Sequence, residues 1–343
     1  MTVALEPDRQ PSIQAVRLTK EFGSRVCVDS LSFSVYPGEL YALLGDNGAG
    51  KTTTINMLTT LLTPTSGESY ICGFHSQRQA EDSKALFGVV SQDIAIYQEL
   101  TAYENLAFVA ELYGIPQAEA DERVEQLLRH AGLLQRANDR AGEFSDGMQR
   151  KLSIATAILH DPKVLFMDEP TVGLDPGARR QIWATLKVLK EQGVTILLTT
   201  HYLEEAEILA DKVGIIRQGQ LVIEGTVEEL RRQIGKIRSI SITLAARLPD
   251  ADLEEKVSSL RDRLNAGVSY DPVGNTIVIP QPPDTELADC LESAVSWLRR
   301  AGLPFASIAT RQPSLEEIFL SITQEDATAG AIAAGEAARS GEH

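Results

Sequence analysis

GDNGAGKTT, residues 45–53, places three glycines, a lysine and two threonines between two hydrophobic segments. Four of its residues match the pattern G-x-x-x-x-G-K-[ST]: Gly45, Gly50, Lys51 and Thr52. Because glycine lets the backbone come close to a ligand, the N–H groups of such a loop can converge on one anion. ELYALL (39–44) predicts a buried strand before the loop, and TTTINMLTTLL (52–62) predicts a helix after it, with its N-terminus facing the anion. The stretch therefore predicts a phosphate-binding loop between a strand and a helix.

Length and composition narrow the class of protein. A chain of 343 residues is long enough for two domains, and 43% hydrophobic with 23% charged residues is ordinary for a soluble globular protein. The net charge of −16 argues against a nucleic-acid partner. No apolar run approaches the roughly 18–20 residues of a membrane span. The three scattered cysteines, Cys27, Cys72 and Cys290, favour buried thiols in a reducing compartment over a disulfide framework.

Hydrophobic periodicity predicts an α/β domain over residues 1–235. Strands are expected at LSFSV (31–35), LFGVVS (86–91), KVLFM (163–167) and VTILLTT (194–200). Helical patterns fill most of residues 101–160 and return at 179–193, and VGIIRQGQLVI (213–223) predicts a hairpin. The last two strands are continuous apolar runs, which suits parallel strands covered on both faces. The domain is therefore expected to carry a helical subdomain at about 98–160.

A second pattern begins after residue 236 and predicts a small domain over 237–323. Strand alternation, helical stripes and a DPVGN turn follow one another in the order β-α-β-β-α-β, the split βαβ or ferredoxin-like arrangement. The residues that carry it are Ile240, Ile242 and Leu244, then Leu253, Val257, Leu260 and Leu264, then Leu287, Leu291, Ala294 and Leu298. Gly302 suits a helix C-cap, and Ser314 with Glu317 suits a capping box. The Ala/Gly-rich tail, 324–343, is predicted to be disordered.

Two acidic residues follow the apolar run that ends at Met167. Asp168 lies at the carboxyl end of a predicted parallel strand, where it can reach Mg²⁺ directly or through water, and Glu169 can polarise an attacking water. Alone, such a pair is more often a solvated strand end, so the assignment depends on the phosphate loop. FSDGM (144–148) is a second loop-to-helix junction, with Ser145 as the helix cap and Gly147 allowing close approach of a ligand.

Over residues 12–232 these motifs resemble the nucleotide-binding subunit of an ATP-binding cassette transporter. Six of them stand in the family's order and spacing: GDNGAGKT as the Walker A loop, SQD (91–93) as the Q-loop, FSDGM as the signature, VLFMDEP (164–170) as Walker B, GLDP (173–176) as the D-loop and TTHYLEEAE (199–207) as the switch region. Phe22 lies where the family places an aromatic ring against adenine. The resemblance implies a P-loop cassette with a mixed sheet core, an antiparallel β subdomain and a helical insert.

The resemblance also implies a role for each matching residue, with ATP and Mg²⁺ as cofactors. The catalytic set is Glu169 as general base, Lys51 and His201 as γ-phosphate contacts, and Gln92 as the link to the helical insert. The Mg²⁺ ligands are Thr52, Gln92 and Asp168. The nucleotide contacts are Phe22, Gly45, Asp46, Asn47, Gly48, Ala49, Gly50, Lys51, Thr52, Thr53, Ser145, Gly147 and Asp175.

Partners follow from the same resemblance. Two cassettes, either two copies of this chain or this chain with a paralogous cassette, are expected to face each other around two ATP molecules. They would drive an integral membrane permease of about six spans from the cytoplasmic face of the cell membrane. The ending PSLEEIFL (313–320) resembles the daunorubicin-type drug-resistance exporters, whose relatives handle ions, lipids and polysaccharides. Export of a drug, lipid or polysaccharide is therefore expected.

One residue departs from the family signature L-S-G-G-Q. Asp146 places a carboxylate beside Ser145 and Gly147, the two expected phosphate contacts. The charge suits the helix dipole but repels phosphate. Arg150, four residues further on, is expected to neutralise it on the same helix face. The departure puts fast hydrolysis in doubt and leaves ATP binding as expected.

Two other classes of function share the cassette motifs. A soluble cassette ATPase acting on ribosomes or DNA usually carries two cassettes or a long coiled-coil insertion, and this chain has neither. A non-hydrolysing ATP sensor is disfavoured by Glu169 and His201, and a phosphate-release assay separates it from a transport ATPase. The resemblance favours the transport ATPase.

Overall fold

The computed structural model describes residues 10–234, 239–246, 256–261, 267–272, 274–281, 285–311, 314–316 and 318–319. The chain divides into two compact units, Met1–Thr226 and Val227–His343. Across the described ranges, no helix combines the length and the apolar character needed to cross a membrane.

The first unit contains ten strands and seven α-helices within the described residues. The strands are β1 Ile13–Phe22, β2 Arg25–Val35, β3 Leu40–Leu44, β4 Ser66–Ile71, β5 Phe74–His75, β6 Phe87–Val90, β7 Val164–Asp168, β8 Thr195–Thr200, β9 Lys212–Arg217 and β10 Gln220–Gly225. The helices are α1 Lys51–Leu58, α2 Ala80–Lys84, α3 Ala102–Leu112, α4 Gln117–His130, α5 Asp146–Ile158, α6 Pro176–Glu191 and α7 Leu203–Leu209, with 3₁₀ turns at Leu134–Arg136 and Ala141–Glu143.

The central sheet has the order β10-β9-β3-β8-β7-β6. Strands β9, β3, β8, β7 and β6 are parallel, and β10 joins one edge antiparallel. Both faces of the sheet are buried. Along β7, Val164 and Phe166 face one hydrophobic cluster while Leu165 and Met167 face another. This double burial explains why the strand sequences read as continuous apolar runs. The carboxyl ends of the parallel strands share one edge, where the acidic residues and the phosphate loop meet.

A second, antiparallel sheet has the order β2-β1-β4-β5. It packs on the face of the central sheet that also carries α1, and Phe33 stacks on Tyr41 with ring centroids 5.1 Å apart. Strand β1 has no clean alternation in its sequence. Its pairing with β2 shifts register between Ala15 and Leu18, and Arg17 has a positive φ of 47°. These irregularities interrupt the two-residue period, so the sequence pattern did not reveal this strand.

The helical insert consists of α3, α4 and α5 around their own hydrophobic cluster. Helix α3 begins at a full capping box, in which Thr101 accepts from the Glu104 backbone N–H and the Glu104 side chain accepts from that of Thr101. Leu106, Val124 and Leu152, one from each helix, are fully buried at its centre. The insert therefore has a core separate from the two clusters of the central sheet.

The second unit begins with α8 Val227–Ile234 and contains a four-stranded antiparallel sheet. Its other elements are β11 Ser239–Leu244, β12 Ser269–Asp271, β13 Thr276–Pro280, α9 Leu287–Ala301 and β14 Phe305–Arg311. The strand order is β12-β13-β11-β14. A helical segment is present at 256–261, and Gly302 ends α9 in the left-handed conformation with φ 65°. Leu253, Leu264, Glu317 and the tail 324–343 lie outside the described residues.

The mixed sheet core with an antiparallel subdomain and a helical insert is confirmed. Two helices differ from the expectation at their ends. Helix α1 stops at Leu58, four residues early, and α6 starts at Pro176 instead of Arg179. The earlier start follows from local chemistry, because Asp175 caps the helix and proline is favoured at its first position. The short helices α2 and α7 were not anticipated from the sequence.

Candidate active site at the phosphate loop

The glycines of the phosphate loop are required for two different reasons. A Cβ on Gly45 would lie 2.4 Å from the Ile216 carbonyl oxygen on β9, so only glycine fits against that strand. Gly48 and Gly50 have φ angles of 81° and 108°, in the region that favours glycine. The loop therefore packs closely against β9 at Gly45 and turns sharply at Gly48 and Gly50. Helix α1 starts immediately after Gly50.

Lys51 points back into this loop. Its Nζ donates to the carbonyl oxygens of Gly45 at 2.6 Å and Asp46 at 3.1 Å. The same ammonium lies 2.9 Å from Oε1 of Glu169, and both side chains are 5% exposed. The loop thus holds a buried cation at the N-terminus of α1, a position that favours an anion.

Glu169 connects Lys51 with His201. Its second oxygen, Oε2, lies 2.7 Å from His201 Nδ1. Its backbone has a positive φ of 48°, which is uncommon for a residue with a side chain. The Glu169 N–H donates to the Thr199 carbonyl and to Thr199 Oγ1, each at 3.1 Å, which holds this conformation. Three of the predicted catalytic residues are therefore in direct contact.

Thr199 is a site residue that the sequence did not single out. Its Oγ1 accepts from the Glu169 N–H and donates to Asp168 Oδ1 at 2.5 Å. The parallel pairing of β7 with β8 places Thr199 opposite Asp168. One buried hydroxyl therefore orients both acidic residues. Its position two residues before His201 was the available signal in the sequence, but the register between β7 and β8 was needed to interpret it.

The remaining loop residues differ in their exposure to solvent. Asp46, Asn47, Gly48 and Thr52 are exposed, Thr53 is half-buried, and Ala49 and Gly50 are buried. Asp168, in contrast, is buried at the end of β7. Within the described residues, no group of three or more His, Cys, Asp or Glu side chains could hold a metal ion. That is compatible with Mg²⁺, which is commonly held by one or two carboxylates together with phosphate and water oxygens.

Arg150 does not neutralise Asp146, and this expectation was wrong. Asp146 is exposed at the first position of α5. Arg150 is only 2% exposed, and its guanidinium donates to the carbonyl oxygens of Ser91 and Gln92, each at 2.6 Å. A spacing of four residues makes helix positions neighbours, but here the longer side chain turns into the protein. Arg150 therefore does not offset the negative charge of Asp146.

Four other predicted contacts lie outside the group formed by Lys51, Glu169 and His201. Ser145 caps α5 by accepting from the Met148 N–H at 3.4 Å, and a Cβ on Gly147 would lie 2.9 Å from Ala178 Cβ. The side chain of Gln92 is exposed. Phe22 is 49% exposed at the end of β1, with Lys20 Nζ 5.2 Å from its ring centroid. None of these four residues contacts Lys51, Glu169 or His201 among the hydrogen bonds and ion pairs of the described residues.

Asp175 acts as the N-cap of α6. Its Oδ1 accepts from the N–H groups of Gly177 at 2.8 Å and Ala178 at 3.0 Å. These two hydrogen bonds lower the pKa of Asp175, and the one from the Ala178 N–H has the larger effect. The carboxylate therefore stays ionised and fixes the turn between Glu169 and α6.

Glu205 forms a buried junction behind the site. Its Oε1 accepts from Thr171 Oγ1 and from Trp183 Nε1, each at 3.0 Å, and the side chain is fully buried. Burial raises the pKa of Glu205, and hydrogen bonds from Thr200, Trp183 and Thr171 oppose that rise. The carboxyl group therefore joins α7 to α6 and to the chain segment that follows Glu169.

The raised pKa of Glu205 predicts a pH-dependent stability. The folded protein holds this proton more tightly than the unfolded chain, whose pKa is near 4.5. The stabilisation is therefore complete below that pH and is lost as pH rises through the folded pKa. Glu205→Gln does not titrate, so its stability relative to the parent should rise as the pH is raised above about 4.5 in urea unfolding. The exposed Glu204→Gln is the control, and a difference that stays constant with pH would contradict the prediction.

The family model for ABC transporters matches residues 28–172. The linearmycin resistance ATP-binding protein LnrL of Bacillus subtilis is 35% identical over 91% of this chain and 98% of its own length. The daunorubicin resistance ATP-binding protein DrrA3 of Streptomyces coeruleorubidus is 33% identical over 90% and 94%. The Nod factor export ATP-binding protein I of Paraburkholderia xenovorans is 42% identical over 64% and 73%. The similarity to the two resistance proteins thus extends across both units.

Solved structures give the same result for the cassette. An ATP-binding subunit of an ABC transporter matches with a TM-score of 0.60 and 34% identity, over 65% of this chain and 93% of that one. The ATP-binding cassette MJ0796, solved as a dimer in a post-hydrolysis state bound to ADP and Pi, matches with a TM-score of 0.57 and 25% identity over 62% and 98%. The chain therefore belongs to the ABC transporter family, as an ATP-binding subunit and ATPase of the branch that includes the drug-resistance ATP-binding proteins.

Proposed function

We propose that this chain binds ATP with Mg²⁺, hydrolyses it, and drives export through a separate integral membrane permease of about six spans. It would act as a peripheral subunit at the cytoplasmic face of the cell membrane. The observation that carries the proposal is the contact of Glu169 with both Lys51 and His201 at the phosphate loop. Similarity to the linearmycin and daunorubicin resistance proteins and to the Nod factor export protein supports export of a drug, lipid or polysaccharide.

The loop supplies the groups that recognise the phosphates. Its N–H groups and the N-terminus of α1 favour an anion, and Lys51 adds a cation for the outer phosphates. The nucleotide-binding residues from Gly45 to Thr53 surround this point, and the exposed ring of Phe22 is available to stack on adenine. Mg²⁺ would neutralise charge on the β- and γ-phosphates, held by Thr52, Gln92 and Asp168.

Hydrolysis is assigned to the acidic residue beside Lys51. Glu169 would accept the proton of the attacking water, because its carboxylate lies at the loop and is held by Thr199 through the backbone. His201 contacts the same carboxylate and would contact the γ-phosphate when ATP binds. Lys51 would leave Glu169 for the phosphate when ATP binds. Gln92 would report the state of the site to the helical insert.

A second cassette would complete each site. The dimeric structure of MJ0796 supports a head-to-tail pair of two copies, or of this chain and a paralogue. In that arrangement Ser145 and Gly147 of one subunit would face the nucleotide of the other. Asp175, held as a helix cap, would lie at the contact between the subunits. ATP would then hold the pair together, and hydrolysis would release it.

The domain assignment forms part of the same proposal. Residues 1–235 would form the cassette, with the helical subdomain at about 98–160. Residues 237–323 would form a ferredoxin-like domain that stabilises or regulates the pair, and 324–343 a disordered tail. The strand order β12-β13-β11-β14, with a helical segment before β12 and α9 before β14, supports the ferredoxin-like arrangement.

The function is tested by coexpressing the chain with a candidate membrane protein of about six spans from a neighbouring reading frame, and reconstituting the complex in vesicles. The expected result is copurification of two cassettes with that membrane protein, and phosphate release from Mg·ATP that Glu169→Gln abolishes. Hydrolysis by a chain that never associates with a membrane protein would contradict the transport assignment and favour a soluble cassette ATPase.

The charge of Asp146 predicts an effect on the pair. A full charge about 5–8 Å from the γ-phosphate costs about 2–3 kcal/mol at an effective dielectric of about 20, and solvent and salt around the exposed Asp146 carboxylate reduce this cost to about 1 kcal/mol or less. In a Glu169→Gln background, Asp146→Gly should raise the ATP-dependent dimer fraction about two- to fivefold at low salt, and less at high salt. Asp146→Asn controls for the loss of helix propensity. If Asp146→Gly weakens the dimer, the carboxylate makes a needed contact.

A further inference from the structure

Arg150 on α5 of the insert contacts the segment that follows β6, and the proposed chemistry does not use this contact. Its Nη1 and Nη2 donate to two consecutive carbonyl oxygens, those of Ser91 and Gln92, which lie 59 and 58 residues away in sequence. The two distances are equal at 2.6 Å. A planar guanidinium can make two such bonds at once, whereas an ammonium acts as a point charge. We call this pair of hydrogen bonds, from Arg150 to the carbonyl oxygens of Ser91 and Gln92, the clamp.

The clamp holds the beginning of an irregular segment. From Tyr97 onward the segment is held by other hydrogen bonds, in which Asn105 binds both the N–H and the carbonyl oxygen of Tyr97 and the Gly142 N–H donates to the Gln98 carbonyl oxygen. Residues 91–100 contain no helix or strand, and the side chains of Gln92 and Asp93 are exposed. Carbonyl groups in such a segment have no sheet partner, so Arg150 supplies the bonds that a ladder would otherwise give. Burial lowers the pKa of Arg150, while the negative charges of Asp93 and Asp168 raise it. These two carboxylates offset part of the cost of burying the cation.

Arg150 lies on the helix that Ser145 begins. Helix α5 starts at Asp146, and Arg150 is on its second turn, buried at the boundary with the segment after β6. Because a helix is stiff over this distance, a shift of Ser145 and Gly147 carries Arg150 with it. Arg150 in turn carries the backbone of Gln92.

We infer that Arg150 is a positioning residue that locks the Gln92 segment to α5, so that the signature residues and Gln92 of one subunit move together. This inference rests on the proposed function. In the head-to-tail pair, Gln92 faces the nucleotide of its own subunit, while Ser145 and Gly147 face the nucleotide of the other. The clamp would therefore couple the two ATP sites through each single chain.

The first test measures the clamp itself and does not depend on hydrolysis. Amide hydrogen exchange of the purified full chain is compared for the wild type, Arg150→Met and Arg123→Met. Arg123 is the matched control, because its guanidinium donates to the Leu159 carbonyl at 3.2 Å within the insert and not to the Gln92 segment. Arg150→Met should raise exchange in residues 91–96 about tenfold, with β7 and β8 unchanged, and Arg123→Met should not. Unchanged exchange in that segment would overturn the clamp.

The second test measures the coupling. Phosphate release is followed against ATP concentration for the same proteins and for Arg150→Lys. Arg150→Met should lower turnover about tenfold and bring the Hill coefficient from its wild-type value toward about 1, with affinity for a single nucleotide unchanged. The turnover and the Hill coefficient of Arg150→Lys should lie between those of the wild type and of Arg150→Met, because an ammonium keeps the charge but does not reproduce the paired hydrogen bonds. If Arg123→Met loses cooperativity to the same extent, the loss in Arg150→Met comes from general destabilisation and the proposed coupling is wrong. A wild type without Mg·ATP hydrolysis would refute the proposed function and leave the exchange result to decide the clamp.

Discussion

Glu169→Gln is expected to lower the rate of ATP hydrolysis by about 100- to 10,000-fold, the range that a positioned general base contributes. The amide keeps the shape of the side chain but cannot take a proton from water. ATP binding should be retained or strengthened, because the neutral amide no longer competes with phosphate for Lys51, which lies 2.9 Å from the carboxylate. Phosphate release and nucleotide titration measure the two effects separately.

Glu204→Gln is the control for this substitution, because Glu204 is an exposed acidic residue on α7 and makes no contact with Lys51 or His201. Its rate should equal that of the parent. Hydrolysis by Glu169→Gln at the parent rate would remove Glu169 from the role of general base.

Lys51→Met should weaken ATP binding by about 10- to 100-fold, since a hydrogen bond to a charged group contributes about 1.5–3 kcal/mol. The substitution has a second consequence. It leaves the buried Glu169 carboxylate without its cation, and breaking a buried pair in this way costs about 3–5 kcal/mol of folding free energy. Calorimetric titration and urea unfolding of the same sample record both losses.

The double variant Lys51→Met with Glu169→Gln separates them. Removing both charges should restore most of the stability while leaving ATP binding weak, because the uncompensated charge is gone and the phosphate contact is still missing. A double variant that recovers ATP affinity would show that the loss in Lys51→Met came from misfolding and not from the missing ammonium.

The proximity of Lys51, Glu169 and His201 was predictable because local pattern and strand order both point to it. Lys51 follows the glycine loop, and Glu169 and His201 follow two apolar runs that become the neighbouring strands β7 and β8. Parallel strands bring their carboxyl ends to one edge, so residues distant in sequence meet there. The contacts of Lys51 and His201 with Glu169 are what such an arrangement produces.

The supporting residues were not predictable in the same way. Thr199 was missed because its function depends on the register of β8 against β7, which no periodicity records. Glu205 reads as one acidic residue among several in LEEAE, and only burial distinguishes it from Glu204. Arg150 was assigned to Asp146 from helix spacing, whereas the structure directs it to carbonyl groups of a loop. Sequence spacing predicts neighbours on one helix and gives no information about what packs against it.

The molecular mass of the Glu169→Gln chain with and without Mg·ATP shows whether each nucleotide is held between two cassettes. Light scattering coupled to gel filtration, with bound nucleotide quantified in the same peak, should show a monomer without ATP and a dimer carrying two ATP molecules with it. Addition of Lys51→Met to the same chain should abolish the dimer. A chain that binds ATP but stays monomeric at every nucleotide concentration would show that ATP is not held between two cassettes.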